Sequence, residues 1–195
     1  MKGKNVSLVP TTNALWHEFW KGYVADPMMS DTQHVYDPDI CEEFYRDRMA
    51  DATRKYFSVM HDGKVVGYIY LKHMDRDKKS SEFGIAMMDD SVKGKGYGTE
   101  AIWLLAEYAF NVLGLETIIA TAVLRNVRSQ HVLTKMGFVH THSDGKFNYY
   151  KLDIAIPIEH DLKASAAEKQ LGQVFFRKTE GFSTKFEGQC ETELL

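Results

Sequence analysis

Two cysteines, four prolines and no long apolar run are all that 195 residues contain of those features. Each scarcity removes a class of protein. Cys41 and Cys190 stand far apart and form no Cys-x-x-Cys pair, which argues against a disulfide framework and a cysteine-rich zinc site. The longest apolar stretch, residues 101–115, is interrupted by Glu107 and Asn111 and is too short to span a bilayer. The N-terminal MKGKNVSLVP lacks the apolar segment of a signal peptide, so a cytoplasmic location with no membrane contact is expected. There is no basic excess either. Lys plus Arg number 24 against 27 Asp plus Glu, a net charge of −3, so a nucleic-acid partner is not expected. Repeats and low-complexity segments are absent from the sequence.

What remains is the composition of a folded domain, 44% hydrophobic and 26% charged. NVSLVP reads as a first strand. Leu15, Trp16, Phe19, Trp20 and Tyr23 give residues 12–24 the spacing of a helix with one aromatic face. A second helix is predicted over 38–50, with Asp37 as N-cap and Pro38 at its first position. Asp62-Gly63 then divides two β-rich runs as a tight hairpin, because both residues tolerate positive φ. EFGIAMM follows as a third strand of that meander. Residues 101–113 are apolar on nearly every side, which predicts a buried helix stopped at Gly114. TIIATAVL reads as a buried strand, VRSQHVLTKM as a helix capped by Asn126 and ended by Gly137, and FVHTHS and FNYYKLDI as strands around Asp144-Gly145. This order predicts an α/β fold with a mixed, mostly antiparallel central sheet flanked by helices.

The stretch SVKGKGYGTEAI, residues 91–102, joins the third strand to the central helix. Its alternating Gly94, Gly96 and Gly98 fit neither a phosphate-binding P-loop nor a dinucleotide fingerprint, since position 99 is Thr. A nucleotide-binding protein is therefore disfavoured. What the stretch does offer is backbone N–H groups that an anion can approach closely, a helix N-terminus, and Lys93 and Lys95. A solvated turn is the plainer alternative, and pyrophosphate is the natural guest if the loop binds.

Residues 93–98, KGKGYG, together with the later Asn126, Ser129, Gly137 and Phe138, resemble the two signature segments of the GNAT superfamily of acyl-CoA-dependent N-acetyltransferases. The resemblance covers roughly residues 5–153 and is nearest to the branch that acetylates ribosomal-protein alanines. Lys93 departs from the family's Arg or Gln, exchanging a planar multidentate donor for a point charge. The resemblance implies acetyl-CoA as co-substrate, with no metal. It would be held by Met87, Met88, Val92, Lys93, Gly94, Lys95, Gly96, Tyr97, Gly98, Thr99, Asn126 and Ser129. Met87 and Met88 would pair with the pantetheine arm as if it were a strand, and the loop amides would take the pyrophosphate. Many family members carry a tyrosine acid where this chain has Leu133. In the resembling branch Ser129 would be the alternative donor to the leaving thiolate. A serine that only bonds its own backbone is the competing account. Glu82 opens the strand entering the loop and is the candidate base, acting through water, against the alternative of an exposed edge carboxylate.

Other residues carry less. Tyr149 and Tyr150 point to opposite faces, so one could line an acceptor pocket while the other packs. His140 and His142 would share a strand face, too few ligands for a metal. The reading is thus an N-acetyltransferase domain over residues 1–155, using a primary-amine acceptor, small molecule or protein N-terminus, and direct transfer. A non-catalytic acyl-CoA-binding or regulatory module is the alternative. Residues 156–195 form a C-terminal extension in which HDLKASAAEKQL suits a short helix. Val174, Phe175, Phe176, Phe182 and Phe186 give it too much apolar surface to leave exposed, so an oligomerisation arm and a homodimer are expected, with a tail folded back over its own sheet as the alternative.

Overall fold

The computed structural model describes residues 1–30 and 32–154. Its elements run β1 (Ser7–Pro10), α1 (Asn13–Gly22), α2 (Pro38–Ala50), β2 (Lys55–His61), β3 (Lys64–Asp75), β4 (Ser80–Met87), α3 (Tyr97–Asn111), β5 (Thr117–Val123), α4 (Val127–Lys135), β6 (Val139–Ser143) and β7 (Phe147–Asp153). The strands form one seven-stranded sheet in the order β1-β2-β3-β4-β5-β7-β6. Among the described strands only β4 and β5 run parallel, joined by the α3 crossover. The mixed, mostly antiparallel sheet expected from the element order is the one found. The helix and hydrophobic cluster expected beyond residue 156 lie outside the described residues.

Local chemistry explains the elements. Thr12 caps α1 by accepting from Leu15 N, and Asp37 caps α2 by accepting from the N–H groups of Asp39 and Ile40. Asp62 and Gly63 both take positive φ, +47° and +75°, and turn β2 into β3. A bulge follows at once: Val59 faces Gly67 while Met60 faces Val65. It places Tyr56 opposite Tyr70, where an unbroken hairpin would offer Ile69.

The sheet separates two clusters. On one face α3 and α4 cover Ile69, Leu71, Phe83, Ile118, Ala120 and Leu152, all buried. α3 starts at Tyr97, earlier than its apolar run suggests, because Gly96 supplies the left-handed N-cap at φ +83°. Its burial is a stripe rather than all-round: Ala101, Ile102, Leu105, Ala106, Ala109 and Phe110 are inside, whereas Glu107 and Val112 are exposed. Gly114, at φ +67°, follows its end. On the other face Trp16 and Phe19 of α1 and Cys41 and Phe44 of α2 pack over Tyr56, Tyr68 and Tyr70. Trp16 donates its indole N–H to Cys41 O at 3.1 Å, which fixes α1 against α2.

The two histidines of β6 do not share a face. Thr141 is bulged out between them, so His140 meets Tyr150 edge-on at 5.4 Å and His142 stacks on Tyr149 at 4.2 Å. Tyr150 belongs to the helix-covered core, and Tyr149 lies on the opposite face. No group of three or more metal-ligating side chains occurs among the described residues. No described helix is long and apolar enough to cross a membrane.

Candidate active site

The parallel pair comes apart. β4 and β5 are registered from Ser80↔Thr117 to Phe83↔Ala120 and no further. β4 continues alone on that side to Met87, while β5 continues to Val123 against β7. The opening therefore begins at Gly84 and widens toward the carboxyl ends of both strands, the place where parallel α/β sheets accept ligands. On its other side β4 stays paired with β3, Ala86 opposite Tyr68 and Gly84 opposite Tyr70. Met88 N donates to Val66 O at 2.9 Å on the same side. The alternation of an antiparallel ladder then turns the backbone groups of Ile85 and Met87 toward the opening.

The glycine loop closes the wide end. A short 3₁₀ turn, Asp90–Val92, is capped by Asp89. Gly94 and Gly96 take φ +74° and +83°, and no atom lies within 4 Å of where their Cβ atoms would sit. α3 starts with no side-chain cap, so its first N–H groups have no side-chain acceptor of the kind that usually satisfies them. Tyr97 turns its ring away, bonding His61 Nε2 through its hydroxyl at 2.7 Å. A Cβ on Gly98 would meet Met87 Sδ at an ordinary 3.6 Å, and Val92 packs on the core. Thr99 is half-buried in the helix's first turn. Lys95 is exposed and makes no ion pair among the described residues.

Lys93 is differently placed from what the loop's composition suggests. Its ammonium is 2.7 Å from Asp26 and 2.9 Å from Asp90, and mostly covered. Burial alone would lower its pKa, but the two carboxylates raise it above the ordinary lysine value. Asp26 is shifted the opposite way: burial opposes its charge, yet the bond from Lys93 and the Met28 N–H hold its pKa below the ordinary value. Asp26 belongs to a segment that bridges the site. Val24 N donates to Met88 O at 2.9 Å. Arg125 Nε donates to Met28 O at 3.3 Å, and Asn126 Nδ2 lies 2.6 Å from Met29 Sδ. Residues 24–29 thus run from the end of β4 to the start of α4. Met88 has both backbone groups engaged, leaving Met87 as the free one of the two residues named for the pantetheine.

Asn126 caps α4, accepting from Ser129 N at 3.0 Å. That accounts for the Ser129 backbone; its half-buried hydroxyl has no partner among the described residues. Leu133, one turn on, is core at 2% exposure. Glu82 is no edge carboxylate. It sits on a central strand, 3.4 Å from Lys72 and 3.5 Å from His73, and accepts from Thr121 Oγ1 at 3.3 Å. His73 is aimed there by a second bulge and takes φ +51°. Lys72, His73 and Thr121 are partners that the sequence did not disclose; the alternation of β3 and β5 is their only linear trace. Tyr149 lies on this face, bonded to Asp144 at 2.8 Å.

Two features lie apart from the opening. A cavity of about 220 Å³ is lined by Trp16, Trp20, His34, Tyr36, Asp37 and Phe44 among others, none from β4, β5 or the glycine loop. Cys41 is buried there, and burial pushes its thiol up to about 11, which suits packing rather than nucleophilic attack.

The splayed parallel pair, the glycine loop at a helix start and the Asn126-capped helix define the class. A family model described as an acetyltransferase (GNAT) domain matches residues 5–139, and the chain belongs to that family. A Bacillus subtilis (strain 168) protein named "Probable N-acetyltransferase YjcK" is 32% identical over 103 residues, 52% of this chain and 55% of that one. A second from the same organism, "Putative ribosomal N-acetyltransferase YdaF", is 28% identical over 121 residues, 62% of this chain and 63% of its own. The chain therefore spans little more than half the length of these curated relatives. In fold it is similar to spermidine N-acetyltransferase from Vibrio cholerae, solved with CoA and spermine: TM-score 0.67, 20% identity, covering 77% of this chain and 96% of that one.

Proposed function

We propose that the chain transfers an acetyl group from acetyl-CoA to a primary amine, a small molecule or a protein N-terminus, by direct attack in a ternary complex. The observation that carries this is the opening between β4 and β5. It exposes the Ile85 and Met87 backbone to an extended arm and ends at a helix start with uncapped amides. Acetyl-CoA supplies the activated acyl carbon. The chain's part begins with the loop amides from Gly94 to Thr99, which suit the pyrophosphate because no Cβ stands before Gly94 and Gly96. Lys93 can add charge only by exchanging Asp26 or Asp90 for phosphate. Asn126 and Ser129 face the thioester end once Met29 moves off Asn126.

Amide formation needs a neutral amine, a donor for the developing oxyanion and a proton for the leaving thiolate. Glu82 accepts the amine proton through water, with His73 and Thr121 fixing its two oxygens. The unpartnered Ser129 hydroxyl is free to serve the thiolate. Holding amine and thioester side by side supplies much of the rate. The names of the relatives point to polyamine and ribosomal acceptors as members of this class. A homodimer assembled through residues 156–195 remains our reading of the extension, and truncation after Ile156 followed by light scattering tests it.

An amine panel read by CoA release tests the function. Amine-dependent release supports transfer. Acetyl-CoA binding without turnover would favour the non-catalytic module, the reading to which the apolar Leu133 lends weight.

A further inference from the structure

Gly84 is a glycine in the interior of a central strand, a position where glycine costs stability and marks a close approach. The close approach is Tyr70. A Cβ on Gly84 would lie 2.3 Å from both the ring Cζ and the hydroxyl oxygen of Tyr70, so the phenol lies directly on the β4 backbone. Gly84 is also the first residue of β4 beyond its register with β5. The hydroxyl therefore sits at the apex of the opening, on the face that carries Glu82 two residues upstream.

Three further observations fix the group. Tyr70 stacks on Tyr56 at 4.9 Å and on Tyr68 at 5.7 Å, so its ring is clamped and cannot swing away. Its hydroxyl has no hydrogen-bond partner among the described residues. Burial first, then the neighbouring Tyr56 and Glu82, raises its pKa above the ordinary phenol value, so it stays protonated. A neutral, immobile donor with nothing to bond is suited to an oxygen that gains charge during reaction.

We propose that Tyr70 donates a hydrogen bond to the thioester oxygen as that oxygen becomes an oxyanion, a catalytic role for a residue of β3. The inference rests on the acetyl-transfer reading above. An arm lying along Ile85 and Met87 and entering from the loop brings its reactive end to Gly84. There the amine nitrogen bonds to the acyl carbon and the carbon–oxygen π pair moves onto oxygen under the Tyr70 hydroxyl. The pair then returns as the carbon–sulfur bond breaks, the thiolate takes a proton, and the amine proton leaves through Glu82. Tyr70 keeps its own proton throughout.

Tyr70→Phe isolates the hydroxyl, because the ring and its stack remain. With any amine that the wild type acetylates, the variant is expected to lose about 100-fold in kcat, the usual cost of one oxyanion donor. Its melting temperature and its calorimetric dissociation constant for acetyl-CoA stay those of the wild type. A variant kcat within twofold of wild type overturns the proposal while leaving acetyl transfer standing. An equal loss in acetyl-CoA affinity also overturns it, since the hydroxyl would then serve ground-state binding. Wild-type inactivity toward every amine removes the underlying reading, and the proposal with it, and is told apart because the wild type itself is then silent.

Discussion

The Lys93 ammonium and the Asp26 carboxylate, 2.7 Å apart, tie the head of the glycine loop to the segment after α1. The cation best placed to meet a phosphate is thereby matched with an anion of the chain itself, and the same segment lays Met29 on Asn126. On the proposed function, the incoming ligand competes at this site with the chain's own contacts.

Removing the competitor should favour the ligand. Asp26→Asn frees Lys93 from one of its two carboxylates and removes a negative charge beside the glycine loop. Acetyl-CoA should bind about threefold to fivefold more tightly, the scale of a partly exposed ion pair. Calorimetry at moderate salt measures it; weaker binding by the variant would mean that the tie organises the site instead of blocking it.

The same pair sets a pH dependence. The Asp26 pKa is lowered in the fold, so the stability it contributes is present above the ordinary carboxylate range and is lost as pH falls through the lowered value. The difference in melting temperature between wild type and Asp26→Asn should be measurable at about pH 7 and vanish toward about pH 2–3. A difference that persists unchanged in acid would assign it to shape rather than charge.

At Gly96, φ +83° and open space on the Cβ side separate strain from charge. Asp and Asn both tolerate left-handed φ better than other residues. Gly96→Asn should fold and lose only the part of its acetyl-CoA affinity that the added side chain obstructs, about tenfold, whereas Gly96→Asp should lose at least about 100-fold, because like charges brought together cost several kcal/mol. Equal affinities in the two variants would remove the pyrophosphate from this loop.

For Glu82, the expected outcome is a loss of turnover without loss of cofactor. Glu82→Gln keeps the Thr121 bond but cannot take a proton, and kcat should fall about 100-fold. Ser129→Ala should fall less, since Asn126 caps the helix through the Ser129 backbone and not its hydroxyl. Stopped-flow rates and acetyl-CoA dissociation constants measured together distinguish these effects.

How much of this was legible in the sequence follows the range of the interactions. Asp37-Pro38, Asp62-Gly63 and Asn126 act on residues within three or four positions, and each does what its chemistry dictates. The glycine loop was readable as a junction because φ and helix dipoles are local properties. The ties between Asp26 and Lys93 and between Met29 and Asn126 join distant residues and have no linear signature. Bulges defeated the alternation arguments. One at Thr141 sends His140 and His142 to opposite faces, and one after Val59 brings Tyr56 over Tyr70. Gly84 was the available clue to Tyr70, a glycine in a strand with no turn to justify it.

Mass spectrometry of the wild type incubated with acetyl-CoA, first alone and then with an acetylated-amine panel's unmodified precursors, tests the central claim most directly. Direct transfer at the β4–β5 opening predicts that the chain's mass stays unchanged without amine and that the amide appears only when amine is added. A chain that acquires an acetyl group before any amine is present, or an amine that never becomes an amide, would contradict it.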